Sequence, residues 1–125
     1  MIRTDIEKIT LENENYRKVL RTNKHQQLVV MCLKPGEDIP AEVHHGSQFI
    51  RIESGRGRAS SWNRSGKSTD SVLRDGVSLL IPAGTRHYVR NTSKTKSLKL
   101  YAIYSPPEHR SNARNKRQPE LQRHD

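Results

Sequence analysis

The chain has 125 residues, of which 31% are hydrophobic, so it is long enough for one domain with a single lean core. Its formal net charge of +10 suits a polyanionic partner, because clustered cations gain affinity by releasing counterions from phosphates. The cations are spread along the chain, however. Residues 51–67 carry five against one acidic side chain, and residues 108–125 carry five against three. A solvated basic surface is the favoured interpretation, and a nucleic-acid partner is not favoured.

Targeting and redox features are sparse. No apolar run approaches the roughly 20 residues of a membrane span, and residues 1–5 lack the apolar segment of a secretory signal. The single cysteine, Cys32, lies in an apolar run, where we expect a small buried thiol and no internal disulfide. These features predict a cytoplasmic protein that does not bind membranes.

Short segments rich in β-formers and separated by turn residues run through most of the sequence. Residues 1–11 fit either a strand or a short helix, and no helical period follows residue 20. Strands are predicted over 16–21, 26–33, 48–53, 58–62, 71–74, 77–81, 86–91 and 97–104. The polar stretch 63–70 is predicted to be a mobile hairpin tip. Many short strands at regular spacing predict an all-β barrel or sandwich.

The composition changes after the last predicted strand, which is followed by two prolines. We therefore assign residues 1–107 to the β-barrel domain. Residues 108–125 are charged and polar, with Leu121 as their aliphatic anchor, and are predicted to be a basic tail that is disordered or loosely packed. His109 and His124 are expected to be exposed to solvent.

Four side chains could converge on a metal ion. Glu42 and His44 are two residues apart, so on a strand they share a face. Gln48 opens the next strand, and His87 opens a later one just past a Pro-x-Gly turn. Two imidazoles, a carboxylate and an amide oxygen suit a first-row divalent ion, and two His with one carboxylate is also the ligand composition of open non-haem iron sites.

Two alternatives to this set remain. His45 is a rival ligand, although a strand cannot turn both it and His44 inward, and the spacing favours His44. The other is that these side chains are ordinary polar residues at a barrel mouth. Alternation from Gln48 also predicts an apolar pocket around the donors, formed by Ile50, Ile52, Val89 and Tyr101. Asn91 is expected to tie down a loop through its amide.

The spacing of two segments resembles the two motifs of the cupin family. They read Gly36-x5-Glu42-x-His44-x3-Gln48-x6-Gly55 and Gly76-x5-Pro82-x-Gly84-x2-His87-x3-Asn91. The second fits the family pattern throughout. In the first, Glu42 stands where a His is usual and Gln48 where a Glu is usual. The runs Asn15–Leu20 and Leu100–His109 are also similar to small single-domain cupins labelled as similar to type II mannose-6-phosphate isomerases.

This resemblance implies a cupin-type β-barrel, also called a double-stranded β-helix or jelly roll, and often a homodimer. It implies a divalent metal ion (Mn, Fe, Zn or Ni) held by Glu42, His44, Gln48 and His87. The formal ligand charge stays at −1, but an amide replaces an imidazole, so we expect weaker metal binding. Such a protein would hold a small polar ligand such as a sugar or organic acid, with sugar isomerisation or dioxygen chemistry as candidate reactions. The competing hypothesis is a non-catalytic binding module whose basic face docks an anionic partner such as nucleic acid.

Overall fold

The computed structural model describes residues 1–119, which form a short helix followed by antiparallel strands. The elements are α1 (Ile6–Glu12), β1 (Arg17–Thr22), β2 (Gln27–Leu33), β3 (Asp38–Glu42), β4 (Ser47–Ser54), β5 (Gly57–Trp62), β6 (Ser68–Leu73), β7 (Ser78–Ile81), β8 (Arg86–Asn91), β9 (Leu98–Ser105) and β10 (Arg114–Asn115). Within residues 1–119, helices of bilayer-spanning length and hydrophobicity are absent.

Helix α1 resolves the ambiguity of the first eleven residues. Asp5 is its N-cap, and a side-chain oxygen of Asp5 accepts a hydrogen bond from the Lys8 backbone N–H at 3.3 Å. An aspartate in this position satisfies a backbone donor that the first turn leaves free, which favours a helix over a strand. The helix ends at Asn13, whose N–H bonds to the carbonyls of Ile9 and Thr10.

The strands form two antiparallel sheets that enclose one core. The larger sheet has the order β10-β1-β2-β9-β4-β7, and the smaller has the order β3-β8-β5-β6. Residues that alternate along the strands fill the space between the sheets, and the largest fully buried side chains include Tyr16, Met31, Leu33, Ile50, Ile52, Leu73, Leu98 and Leu100. The predicted all-β barrel or sandwich is confirmed. Cys32 is buried and unpaired, also as predicted.

Strand register brings the motif residues to one end of the barrel. In the smaller sheet Glu42 pairs with His87, across the end of β3 and the start of β8. In the larger sheet Gln48 pairs with Tyr104, at the start of β4 and the end of β9. Residues far apart in sequence therefore lie at the same end of the two sheets.

The structure corrects two details of the predicted strands. Strand β3 (Asp38–Glu42) lies inside the first motif, between predicted strands, because its backbone pairs with β8 and forms the edge of the smaller sheet. Strand β6 begins at Ser68, inside the stretch predicted as a hairpin tip. The turn is shorter than the predicted tip of residues 63–70, because the Asn63 side chain accepts hydrogen bonds from the backbone N–H groups of Ser65 and Lys67.

The described part of the predicted tail, residues 108–119, is docked rather than disordered or loosely packed. Strand β10 pairs with β1, which would otherwise be the exposed edge of the larger sheet. The backbone N–H of Val19 bonds to the carbonyl of Ala113 at 3.0 Å, and that of Tyr16 bonds to Lys116. The polar composition of this segment did not predict the docking, because the docking depends on backbone and amide hydrogen bonds rather than on apolar side chains. The remainder, residues 120–125 with Leu121 and His124, lies outside the described residues.

Gln118 anchors the end of this segment in a buried polar network. Its side chain is 2% exposed. It donates to an Asp38 carboxylate oxygen at 2.7 Å and accepts from the Asp38 backbone N–H at 2.9 Å. The second carboxylate oxygen accepts from the Tyr88 hydroxyl at 2.7 Å, and the Tyr16 hydroxyl donates to the Asp38 carbonyl at 2.7 Å. The network therefore ties the C-terminal segment to the smaller sheet.

Replacing Gln118 should loosen this segment and destabilise the fold. We expect Gln118→Ala to lower the free energy of unfolding by about 1–3 kcal/mol, because it removes partners from the buried polar groups of Asp38. Urea denaturation measures the effect. Arg117→Ala, which truncates the adjacent exposed side chain, is the control and should change little. Equal stabilities of the two variants would contradict the anchoring role.

Candidate metal centre

Three ligand-type side chains meet where β3 ends and β8 begins. Ligand atoms of Glu42, His44 and His87 all lie within 4.8 Å of one another. The closest pair is His44 Nε2 and Glu42 Oε1, at 2.9 Å. Both imidazoles are buried, with 6% and 3% of their surface exposed, whereas the Glu42 side chain is 30% exposed. The cluster therefore has a buried wall and an opening on the carboxylate side.

The hydrogen bond made by His87 assigns its tautomer. Its Nδ1 lies 3.0 Å from the carbonyl oxygen of Thr85. Because a carbonyl can only accept, Nδ1 carries the proton and Nε2 has a free lone pair. Nε2 is buried and has no hydrogen-bond partner within residues 1–119. A second-shell carbonyl that fixes the tautomer in this way is typical of metal-binding histidines.

The charges in the cluster suit a cation. Burial raises the pKa of Glu42, but the hydrogen bond and positive charge of His44 outweigh it, so the pKa lies below its ordinary value. The same hydrogen bond raises the pKa of His44, and burial lowers the pKa of His87. Glu42 is thus held as a carboxylate, and His87 as a neutral imidazole. A metal ion would take the place of the proton that His44 shares with Glu42.

A backbone hydrogen bond joins the two motifs next to the cluster. The N–H of Gly84 donates to the His44 carbonyl at 2.9 Å. Gly84 has a φ of +80°, a left-handed conformation that glycine adopts without steric cost. At the other end of the second motif, the Asn91 amide donates to the carbonyls of Leu33 and Lys96, at 2.9 and 2.8 Å. The prediction that Asn91 ties down a loop is confirmed.

Gln48 is buried next to a residue that contacts the cluster, its strand partner Tyr104. Gln48 is 4% exposed, and its Oε1 is buried without a hydrogen-bond partner among the described residues. Its strand partner Tyr104 packs against His44, with ring centroids 5.3 Å apart. An unsatisfied buried oxygen at this position is what an additional ligand to a cation would satisfy.

The expected pocket residues divide into three groups. Val89 lines a cavity of about 210 Å³ together with His87. Ile50 and Ile52 face inward, as alternation predicts, but they are fully buried in the core. Tyr101 lies on the outer face of β9 and packs against Phe49, with ring centroids 6.2 Å apart. The structure therefore does not bring Tyr101 to the cluster.

Sequence reasoning missed three side chains around His44. Tyr104, an odd number of residues from Tyr101, points to the opposite, inner face of β9. A carboxylate oxygen of Glu108 lies 3.0 Å from His44 Nδ1. His109 is half-buried rather than exposed, and its ring packs edge-to-face on Tyr104 at 5.1 Å. The sequence offered one signal for these residues, a carboxylate and an imidazole side by side at Glu108-His109, shortly after the last long strand. Strand alternation does not predict where side chains point beyond the end of a strand.

The donor set fits a divalent ion. Three ligand atoms lie close together, His87 Nε2 and Gln48 Oε1 are buried and unpartnered within residues 1–119, and the cluster carries one carboxylate charge. Two imidazoles with one carboxylate leave coordination positions open, as catalytic metal sites require.

The fold and this cluster define a small antiparallel β-barrel with a candidate metal site at one end. The Cupin_2 family model, described as a cupin domain, matches residues 29–104. The chain therefore belongs to the cupin family.

The chain is also similar to two proteins of known sequence and to a solved structure. The chain is 50% identical over 101 residues to the uncharacterized protein L612 of Acanthamoeba polyphaga mimivirus, a match covering 80% of this chain and 62% of that protein. It is 43% identical over 111 residues to the uncharacterized protein YrkC of Bacillus subtilis (strain 168), covering 84% of this chain and 57% of the relative. The chain thus spans about three fifths of the length of each. The crystal structure of BH2720 from Bacillus halodurans superposes with a TM-score of 0.87 at 38% identity, covering 93% of this chain and 89% of that one.

The buried ring of His109 should make stability depend on pH. Burial lowers its pKa to about 4, with the nearby Arg17 acting in the same direction and Glu108 opposing. Between pH 6.5 and 4 the unfolded chain binds a proton that the folded chain does not, so the contribution of the neutral ring is complete above pH 6.5 and is lost as pH falls. The shift sets an upper limit of about 3 kcal/mol, which partial exposure of the ring reduces.

Urea denaturation with EDTA at pH 7 and pH 4 tests this effect. We expect the wild type to lose more stability in acid than His109→Phe, which keeps an aromatic ring against Tyr104 but cannot titrate. His25→Ala, at an exposed turn, is the control and should follow the wild type. Parallel curves for the wild type and His109→Phe would contradict the assignment.

Proposed function

We propose that this chain is a metal-dependent cupin that binds a divalent ion through Glu42, His44, His87 and Gln48, and a small polar ligand of the sugar or organic-acid class beside it. The observation that carries the proposal is the convergence of Glu42, His44 and His87, with ligand atoms within 4.8 Å of one another. The carboxylate supplies charge, and the two imidazoles supply directional nitrogen donors. Gln48 is the weak ligand of the set, because a neutral amide oxygen binds a cation less strongly than a carboxylate.

The cavity next to His87 supports the choice of ligand class. Its volume of about 210 Å³ suits a molecule of a few carbon atoms. Five of its lining residues carry hydroxyl groups, and several others are aliphatic: the two sets are Ser60, Ser61, Thr69, Ser71 and Thr85, and Ala59, Leu79, Leu80, Ile81 and Val89. Hydroxyl groups on an otherwise apolar wall suit a ligand that itself carries hydroxyl or carboxylate oxygens.

Residues of the chain would set the protonation states around a bound ion. A bound divalent ion would polarise an oxygen of the ligand or, if it is iron, support reaction with dioxygen. Burial raises the pKa of Tyr104, so its phenol stays protonated beside His44. Thr85 holds the proton of His87 on Nδ1. Sugar isomerisation and dioxygen chemistry are the two candidate reactions, and a redox-inactive metal such as zinc would favour the first.

Elemental analysis of protein purified without a His tag tests the metal site. We expect a stoichiometric divalent metal in the wild type and a loss of most of it in His87→Ala, because Nε2 of His87 is a buried ligand with its tautomer fixed. His45→Ala is the matched control, since His45 is the exposed neighbour of His44 and should leave the metal content unchanged. A wild type without metal, or equal metal in both variants, would contradict the proposal.

Gln48 permits a second test, by titration of Co²⁺ into protein stripped of metal. Gln48→Glu should raise the affinity, because it adds a second carboxylate to the ligand set. Gln48→Leu should lower the affinity by less than His87→Ala does, since it removes only a weak ligand. Equal affinities of Gln48→Glu and Gln48→Leu would show that this side chain does not touch the ion.

The expected homodimer and the competing function can be tested on the same samples. Light scattering tests the homodimer, which the 79% exposure of Leu80 on the edge strand β7 supports. Polyanion binding that falls steeply with salt and ignores His87→Ala would favour the competing function, a basic docking module.

A further inference from the structure

The backbone just after β9 is clamped to the barrel by one buried side chain. Gln27, at the start of β2, is 1% exposed. Its Oε1 accepts hydrogen bonds from the backbone N–H groups of Glu108 and His109, at 3.1 and 2.9 Å. Its amide donates to the carbonyl of His109 at 2.7 Å and to the Thr22 hydroxyl at 3.1 Å. One amide thus fixes both residues, although 81 or more positions separate them from Gln27 in the chain.

This clamp places the Glu108 carboxylate beside His44, a proposed metal ligand, on the side of the ring that faces away from Glu42. His44 Nε2 faces Glu42, and Glu108 Oε1 lies 3.0 Å from the other ring nitrogen, Nδ1. The Glu108 oxygen lies off the direction of the ring N–H bond, so the contact is electrostatic rather than an aligned hydrogen bond. The Glu108 side chain is 37% exposed. Glu108 follows the end of β9, so strand pairing does not hold it in place. Its position depends on the clamped backbone.

We propose that Glu108 is a positioning residue for His44, and that Gln27 acts through it. When Nε2 of a neutral imidazole binds an ion, Nδ1 keeps its proton, and a carboxylate next to Nδ1 fixes the ring and raises its basicity as a ligand. His87 receives this support from the Thr85 carbonyl, and His44 receives it from Glu108. The segment after the barrel is therefore part of the metal site. This inference rests on the proposed function.

Co²⁺ affinity, measured by competition with a chelator, tests the positioning role in the full chain. We expect Glu108→Ala to weaken binding by about 10- to 100-fold and to alter the visible absorption spectrum of bound Co²⁺, which reports the geometry of its ligands. Glu108→Gln keeps the size of the side chain but removes its charge, and should bind nearly as weakly as Glu108→Ala because the contact is electrostatic. Glu12→Ala, which truncates an exposed carboxylate on α1, is the control and should bind as the wild type does.

A double-mutant cycle connects Gln27 to Glu108. We expect Gln27→Met to weaken binding to a similar extent, and the double variant with Glu108→Ala to bind no more weakly than Glu108→Ala alone. If the two substitutions lower the Co²⁺ affinity additively, Gln27 does not act through Glu108 and that part of the proposal is overturned. The three Glu108 and Glu12 variants remain decisive if Gln27→Met fails to fold.

The outcomes separate this inference from the function on which it rests. A wild type that binds no Co²⁺ overturns the proposed function, and the positioning role with it. If the wild type binds, His87→Ala does not, and Glu108→Ala binds as the wild type does, only the positioning role is overturned. Wild-type affinity in Glu108→Gln also overturns it, because the carboxylate charge next to Nδ1 would then be unnecessary.

Discussion

The register of β3 against β8 is the constraint on which the rest of the site depends. It sets Glu42 opposite His87 across two neighbouring strands. His44 follows two residues beyond Glu42, and its carbonyl is held by the Gly84 N–H from the turn that leads into β8. A shift by one residue would turn each side chain to the other face of the sheet. The backbone hydrogen bonds therefore determine whether a cluster exists at all.

The side chains within this frame are arranged by charge as well as by geometry. A carboxylate stands where the cupin pattern usually has an imidazole, and an amide stands where it usually has a carboxylate. Because Glu42 is next to His44 in space, the two share a proton whose place a bound metal ion would take. His87 differs, since burial favours its neutral form. The three candidate ligands would thus contribute one negative charge and two nitrogen donors.

The C-terminal segment shows how a polar sequence can still belong to a folded domain. Its contacts are made by amides and backbone groups rather than by apolar side chains. Gln27 clamps it at one end, β10 covers the edge of β1, and Gln118 enters the network around Asp38. Each of these contacts satisfies polar groups that would otherwise be buried without partners. The segment therefore packs without adding hydrophobic surface, and it brings Glu108 to His44.

The sequence by itself determined the features that depend on neighbouring residues, namely strand alternation, turns and motif spacing. Alternation and turn residues predicted the strands, and motif spacing singled out Glu42, His44, Gln48 and His87 as candidate ligands, together with the loop-tying role of Asn91. Such inferences are possible from sequence because strand parity and positive-φ glycines are local properties of the chain. All four glycines of the two motifs do have positive φ: Gly36, Gly55, Gly76 and Gly84.

Only the tertiary structure decided which distant groups surround those residues. Tyr104 rather than Tyr101 faces His44 because the position of β9 between β2 and β4 sets which of its faces is inward. Glu108 and His109 follow the last long strand, where alternation no longer predicts direction, and their placement comes from a hydrogen bond to Gln27 at the other end of the sequence. Contacts of this range depend on which strands pair and on how the two sheets pack, and no local pattern records them.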